Sequence, residues 1–178
     1  MEYTRTYTTP IGPVLLASNG TGLTGLWIAG QKYEKATLGA QWEEKPDLPV
    51  LVAAADWLDR YFAGARPDPL ELPLAPAGTP FRKVVWDILC RVPYGTTVTY
   101  GDLAAALSEK TGKKENPHAV GGAVGHNPIT IIVPCHRVVG KSGSLTGYAG
   151  GLAKKIYLLR HEGVDTDRFF VPKRGTAL

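Results

Sequence analysis

The chain has 178 residues, 44% hydrophobic and 20% charged, with a formal net charge of +4. That balance excludes an intrinsically disordered chain, and no apolar run reaches the length of a membrane span. The mild positive charge favours a polyanionic partner such as nucleic acid without specifying one.

The first third reads as short strands between turns: Tyr3–Thr8 alternates, Thr9-Pro10-Ile11-Gly12-Pro13 breaks the pattern, Val14–Ala17 follows, and Asn19-Gly20-Thr21-Gly22 turns into Leu23–Ile28. Such spacing predicts a small antiparallel meander. Leu51, Ala54, Ala55, Leu58, Tyr61 and Phe62 recur at helical spacing and predict a helix from Val50 to Ala63, closed by Gly64. Arg66 to Gly78 carries Pro67, Pro69, Pro73 and Pro76 without a helical period, which predicts a stiff linker and places the domain boundary there: residues 1–78, then 79–178.

Thr79-Pro80 is an N-cap followed by proline at the first helical position, ahead of the apolar stripe Phe81, Val84, Val85, Ile88 and Leu89. Cys90 lies beside that stripe and reads as a small core residue. Thr96–Tyr100 is extended, and Thr99 with Asp102 forms a capping-box pattern opening a helix through Leu103, Ala104 and Leu107. A polar loop from Ser108 to Glu115 carries Lys110, Lys113 and Lys114. Asn116-Pro117 then caps a second helix, His118 to Gly125. The pair reads as a helix-turn-helix with a long loop. Ile129 to Val133 has the composition of a buried strand leading into Pro134-Cys135-His136-Arg137, and a last helix places Leu152, Ile156 and Leu159 on one face. The fold class expected is α/β (α+β): a sheet-plus-helix N-terminal domain, then a mostly helical, winged-helix-like domain.

Two segments carry chemistry. The helix Ala119-Val120-Gly121-Gly122-Ala123-Val124-Gly125 tolerates glycines that each cost about 1 kcal/mol relative to alanine. Close helix packing would explain them, and so would a bare face that enters a DNA groove only about 6 Å wide. Cys135 also has two readings. It suits a buried core, but cationic neighbours lower a thiol pKa and raise its reactivity. His136 follows it directly, so cooperation needs a bend or a bridging water, and an acid such as Glu162 to orient the imidazole. Cys90 and Cys135 have no C-x-x-C spacing, which argues against structural zinc. Met1 to Arg5 lacks the apolar core of a signal peptide. A cytoplasmic protein with reduced thiols is the expectation.

Ile132-Val133-Pro134-Cys135-His136-Arg137-Val138-Val139, preceded by Gly121-Gly122 and Asn127-Pro128, resembles the O6-alkylguanine-DNA alkyltransferases, the methylated-DNA–protein-cysteine methyltransferases. Leu145-Thr146-Gly147-Tyr148-Ala149-Gly150-Gly151 and Leu158-Leu159-Arg160-His161-Glu162-Gly163 extend the likeness, which spans Thr79 to Gly163. The resemblance implies a suicidal, single-turnover repair protein that moves an alkyl group from O6 of guanine, and from O4 of thymine, onto Cys135. It implies His136 as a base acting through water, Glu162 orienting the imidazole, and Asn127 ordering the network. Tyr100 would help turn the nucleotide out and donate to the leaving base. The carbonyls of Cys135 and Val138 would accept from the guanine amine, Tyr148 would wall the pocket, and the Ala149 amide would face O6. Thr99, His118, Ala119, Gly121, Gly122 and Arg137 fall among the groups expected on DNA. The implied partner is double-stranded DNA bearing O6-alkylguanine, bound by a monomer, with no cofactor, metal or membrane.

This chain departs from the family pattern in three places. His118 stands where many members have an arginine that fills the space of the flipped base. The Ser108–Pro117 loop is long and offers its lysines either to phosphates or to solvent. Thr130 stands where some relatives carry proline, beside the expected alkyl pocket. Two rival readings are a DNA-binding sensor of alkylated bases, against which the presence of Cys135 speaks, and a thiol hydrolase using Cys135 and His136, which would turn over many times.

Overall fold

The turn residues set the first sheet. In the computed structural model, which describes residues 1–172, β1 (Glu2–Thr9), β2 (Gly12–Ser18) and β3 (Leu23–Ile28) pair antiparallel as expected. The sheet is not purely antiparallel, however. A short exposed strand, β4 (Trp42–Glu44), adds parallel to β1, giving the order β3-β2-β1-β4. Its Trp-Glu-Glu sequence carries no alternation that would have announced it. Helix α1 (Pro49–Phe62) buries Leu51, Ala54, Leu58 and Tyr61, each large side chain contributing about 1.5–3 kcal/mol through its removal from water. Trp57 and Tyr61 stack at 5.4 Å within this core.

The proline-rich segment is a docked part of this unit rather than a linker. Trp57 Nε1 donates to the Asp68 carbonyl at 2.9 Å, Asp68 and Glu71 cap a one-turn helix at Pro69–Glu71, and Leu23 exchanges backbone hydrogen bonds with Pro73 and Ala75. Gly22 permits that approach, since a Cβ there would lie 2.8 Å from Ala75 Cβ and 2.9 Å from the Pro73 carbonyl.

Residues 128–132 belong to the same unit as Met1–Gly78. The buried strand expected over Ile129–Val133 does not form. Ile129 makes a single bridge to Leu26, and the chain then turns, with Ile131 at φ 74°. A β-branched residue in that region costs on the order of 1–3 kcal/mol. The segment is held by Leu26 N donating to the Pro128 carbonyl, Thr130 N donating to the Leu26 carbonyl, and Thr130 Oγ1 donating to Gln31 Oε1.

The second unit comprises Thr79–Asn127 and the described residues from Val133 onward. Its helices are α2 (Pro80–Cys90), α3 (Tyr100–Thr111), α4 (Pro117–Gly125) and α5 (Leu152–His161). The predicted caps are in place: Thr79 accepts from Arg82 N, Thr99 and Asp102 form a reciprocal capping box, and Asn116 accepts from His118 N. Helix α3 runs further than expected and ends on Gly112 in the left-handed region, so the loop joining it to α4 is short. Trp86 Nε1 donates to the Ala123 carbonyl at 2.8 Å and ties α2 to α4. A two-residue parallel pairing of β5 (Val98–Thr99) with β6 (Val138–Val139) joins the start of α3 to the chain just after Cys135. Among the described residues, no helix is long and apolar enough to cross a membrane.

Candidate active site

Cys135 opens a one-turn 3-10 helix, Cys135–Arg137, directly after Pro134. The tight turn supplies the bend that an extended Cys-His pair would lack. The thiol is buried, and Asn127 Nδ2 donates to its Sγ at 3.2 Å and to the Val133 carbonyl at 2.8 Å. Burial pushes the Cys135 thiol up; Asn127, the Lys155 ammonium and the Cys135 and His136 amides pull it back. Cationic neighbours alone predicted a depressed thiol. The difference arises because burial outweighs the groups that lower the thiol, and the Arg137 charge, spent on Glu162, is not among them.

His136 is fully buried, and its Nε2 lies 2.6 Å from Glu162 Oε1. Burial holds the imidazole below its ordinary pKa against the opposing pull of Glu162. Burial would raise the Glu162 carboxyl, but hydrogen bonds from His136 and Arg137 outweigh it and keep the group well below the usual carboxylate range. A neutral imidazole facing a carboxylate donates from Nε2, which leaves the lone pair on Nδ1. That Nδ1 is buried and has no hydrogen-bond partner among the described residues.

Arg137, expected among the DNA-contacting groups, is buried instead. Its Nε and Nη2 reach the two oxygens of Glu162 at 2.8 and 3.0 Å, and Nη1 donates to the Val92 carbonyl at 2.6 Å. Gly95 N also donates to Glu162 Oε2, at 3.0 Å. Tyr148 presents its ring edge-on to His136 at 6.5 Å, with a buried hydroxyl that lacks a partner among the described residues. Tyr100 Oη donates to the Thr146 carbonyl at 3.4 Å, and burial raises its pKa to about 12. Ala149 is half-buried on the segment after Tyr148.

His118 and Ala119 are exposed at the start of α4. A Cβ at Gly122 would meet nothing within 4 Å, and one at Gly121 would make only ordinary contact, at 3.6 Å from Tyr100. Close helix packing therefore does not account for these glycines. Thr99 is half-buried, and its hydroxyl serves the Asp102 cap. Lys110 lies on α3 and pairs with Asp87 at 2.7 Å, so it is not a loop cation; Lys113 and Lys114 are exposed.

Sequence reasoning missed one residue at the site. Lys155 is fully buried in α5, donating to the Thr146 carbonyl at 2.9 Å and to the Val138 carbonyl. The signal was legible: Lys155 lies on the Leu152–Leu159 stripe, where a lysine is out of place.

A buried thiol with a locked imidazole–carboxylate pair, in the same unit as a helix-turn-helix, has the make-up of a DNA-acting transferase. Two family models match: the 6-O-methylguanine DNA methyltransferase ribonuclease-like domain over residues 3–76, and the DNA binding domain of the same proteins over 80–164. The chain is 44% identical over 162 residues to the methylated-DNA–protein-cysteine methyltransferase of Mycobacterium bovis, covering 91% of this chain and 93% of that one. It is 46% identical over 154 residues to that of Methanosarcina barkeri, covering 86% and 92%. The crystal structure of Mycobacterium tuberculosis OGT in complex with DNA superposes with a TM-score of 0.79 at 41% identity, covering 94% of each chain. The chain belongs to the 6-O-methylguanine DNA methyltransferase family. Its activity is that of a methylated-DNA–protein-cysteine S-methyltransferase, a DNA-binding protein that repairs DNA by alkyl transfer.

Proposed function

We propose that Cys135 is the alkyl acceptor, taking the group from O6 of guanine, and from O4 of thymine, in double-stranded DNA. The observation that carries the reading is the buried His136 Nδ1, a lone pair without a partner among the described residues, beside a buried thiol, its ring fixed through Nε2 on Glu162. A water between Nδ1 and Sγ relays the thiol proton to the imidazole. Sγ then bonds to the alkyl carbon as the carbon–oxygen bond breaks, and guanine leaves with the electron pair. The proton lost by the thiol balances the one the released base gains. Tyr100, held protonated by its raised pKa, donates to that base as charge develops on it.

O6 of guanine is out of reach inside a duplex, so the nucleotide is flipped at a cost of a few kcal/mol. The bare α4 face enters the groove and His118 fills the gap. The carbonyls of Cys135 and Val138, the Ala149 amide and the Tyr148 ring receive the base. A thioether is a poor leaving group, so each molecule acts once. In this reading, the second unit forms the DNA-binding and acceptor domain of a monomer working in the cytoplasm, where reducing conditions keep Cys135 a thiol.

The test is intact-protein mass after mixing with excess duplex DNA containing O6-methylguanine, with Cys135→Ser alongside. One added methyl group on the parent protein, none on the variant and no further turnover is the expected result. Lesion binding without a mass change would overturn the acceptor reading.

A further inference from the structure

Lys155 is the buried charge that the proposed reaction leaves unused. Two of its three N–H donors are committed to the carbonyls of Val138 and Thr146. Among the described residues, no Asp or Glu forms an ion pair with it. Glu162, the carboxylate of the site, is already held by Arg137 and His136. A buried ammonium without a counter-charge is strongly disfavoured, and carbonyl dipoles offset only part of that cost.

The surrounding groups identify the missing anion. Asn127 donates to the Cys135 thiol, the His136 amide favours its ionised form, and Tyr100, Tyr148 and Lys155 lie within electrostatic range of it, while the Glu162–Arg137 pair holds the His136 ring. Tyr100 and Tyr148 are held protonated. Glu162 is neutralised by Arg137, and His136 is neutral. Ionised Cys135 is thus the one anion left, among the described residues, for Lys155 to meet. The two carbonyls it holds also matter for position. Val138 lies three residues beyond Cys135, and the Thr146 carbonyl accepts from Tyr100 as well. One ammonium therefore ties the segment after the thiol to the segment that anchors the tyrosine.

We propose that Lys155 is a positioning residue of the acceptor site, serving as counter-cation of the Cys135 thiolate while its hydrogen bonds fix the Val138 and Thr146 carbonyls. This rests on the reading of Cys135 as the nucleophile. The electrostatics run the same way in both directions: Lys155 lowers the Cys135 thiol, and Cys135 raises the Lys155 ammonium, which burial depresses to about 8. Burial keeps the His136 imidazole a free base, and Lys155 adds to that effect. At neutral pH the ammonium keeps its proton. By about pH 8 half of the charge on which the thiolate depends is gone.

The test follows alkylation of Cys135 by iodoacetamide against pH, without DNA, reading the Cys135 peptide by mass so that Cys90 does not interfere. Lys155→Met keeps the apolar length of the side chain and removes the charge; Lys155→Arg keeps the charge. The pH at which Cys135 becomes half-reactive should rise by about one unit in the methionine variant, a tenfold loss of thiolate at neutral pH, and return toward the parent value in the arginine variant. A midpoint unchanged in Lys155→Met overturns the proposal, whatever happens to its melting temperature. If Lys155→Met does not fold, the reciprocal measurement decides. The Lys155 titration, followed by carbon NMR of its Cε, should move to lower pH in Cys135→Ser, and an unmoved titration overturns the ion pair. The two readings separate cleanly. Failure of methyl transfer from DNA with a Lys155-dependent profile removes the acceptor role and leaves the ion pair. Methyl transfer with a Lys155-independent profile removes only the ion pair.

Discussion

Arg137 and Glu162 face each other fork to fork, with Nε 2.8 Å from Oε2 and Nη2 3.0 Å from Oε1, both side chains buried. Planar bidentate pairing is the strongest geometry available to these two groups. It does more than bind them together. With its charge fixed by arginine, the carboxylate stays ionised and holds His136 Nε2, and that hydrogen bond decides which imidazole nitrogen is left free.

Replacing Glu162 by glutamine should therefore be costly. The substitution leaves the Arg137 cation buried without its partner, a change worth about 3–5 kcal/mol of stability. Urea unfolding should show that loss. Adding Arg137→Met should recover part of it, because the double variant no longer buries a lone charge. A Glu162→Gln protein as stable as the parent would mean that the pair contributes nothing.

His136 makes a separate prediction for pH. Its folded pKa lies below the ordinary 6.5, so between those two values the unfolded chain binds the extra proton. Stability from this group is present above about pH 6.5 and is lost as pH falls toward the folded value. Glu162 is depressed below the usual carboxylate range. Its contribution is present above about pH 4.3 and fades only below that. Urea midpoints from pH 7.5 down to 4.5 should fall in the parent and fall less steeply in His136→Asn. Parallel slopes would show that His136 is not held neutral by the fold.

Asn127→Ala should damage both stability and the thiol. The Val133 carbonyl keeps the Cys135 amide but loses the Asn127 donor, a hydrogen bond worth about 0.5–1.5 kcal/mol. Cys135 Sγ loses the hydrogen bond that most strongly opposes the upward push of burial. Iodoacetamide reactivity of Cys135 should shift to higher pH alongside the lower melting temperature. A melting change with an unmoved reactivity profile would confine Asn127 to holding the backbone.

What the sequence disclosed and what it hid divide along the range of the interactions. Helix starts were legible because Thr79, Thr99 with Asp102, and Asn116 act on backbone only a few residues away. The strands β1 to β3 were legible from alternation and turns. Local signals did not reveal that Arg137 faces a carboxylate 25 residues on, nor that the proline-rich segment is pinned by Trp57. The apolar run at Ile129–Val133 has strand composition, yet the Leu26 bridge and the left-handed backbone of Ile131 turn it. Lys155 is a different case, because a lysine on the apolar stripe of α5 is a local signal, open to the same periodicity that located the helix.

The glycines of α4 give the sharpest test of how the helix-turn-helix meets DNA. Gly122 is not needed for packing, because a Cβ there meets nothing within 4 Å. Gly122→Ala should hold or raise the melting temperature, alanine being favoured over glycine in a helix by about 1 kcal/mol. Gly122→Leu should also fold, since the side chain projects into open space. If the bare face enters a groove about 6 Å wide, the leucine blocks it, and duplex affinity should fall at least tenfold, about 1.4 kcal/mol. Iodoacetamide reactivity of Cys135 should stay at the parent level, because Gly122 plays no part in the thiol network. Fluorescence anisotropy on an O6-methylguanine duplex measures the first effect and peptide mass the second. Parent-like DNA affinity in Gly122→Leu would mean that another face of the second unit meets the duplex, and that the glycines persist for a reason other than groove entry.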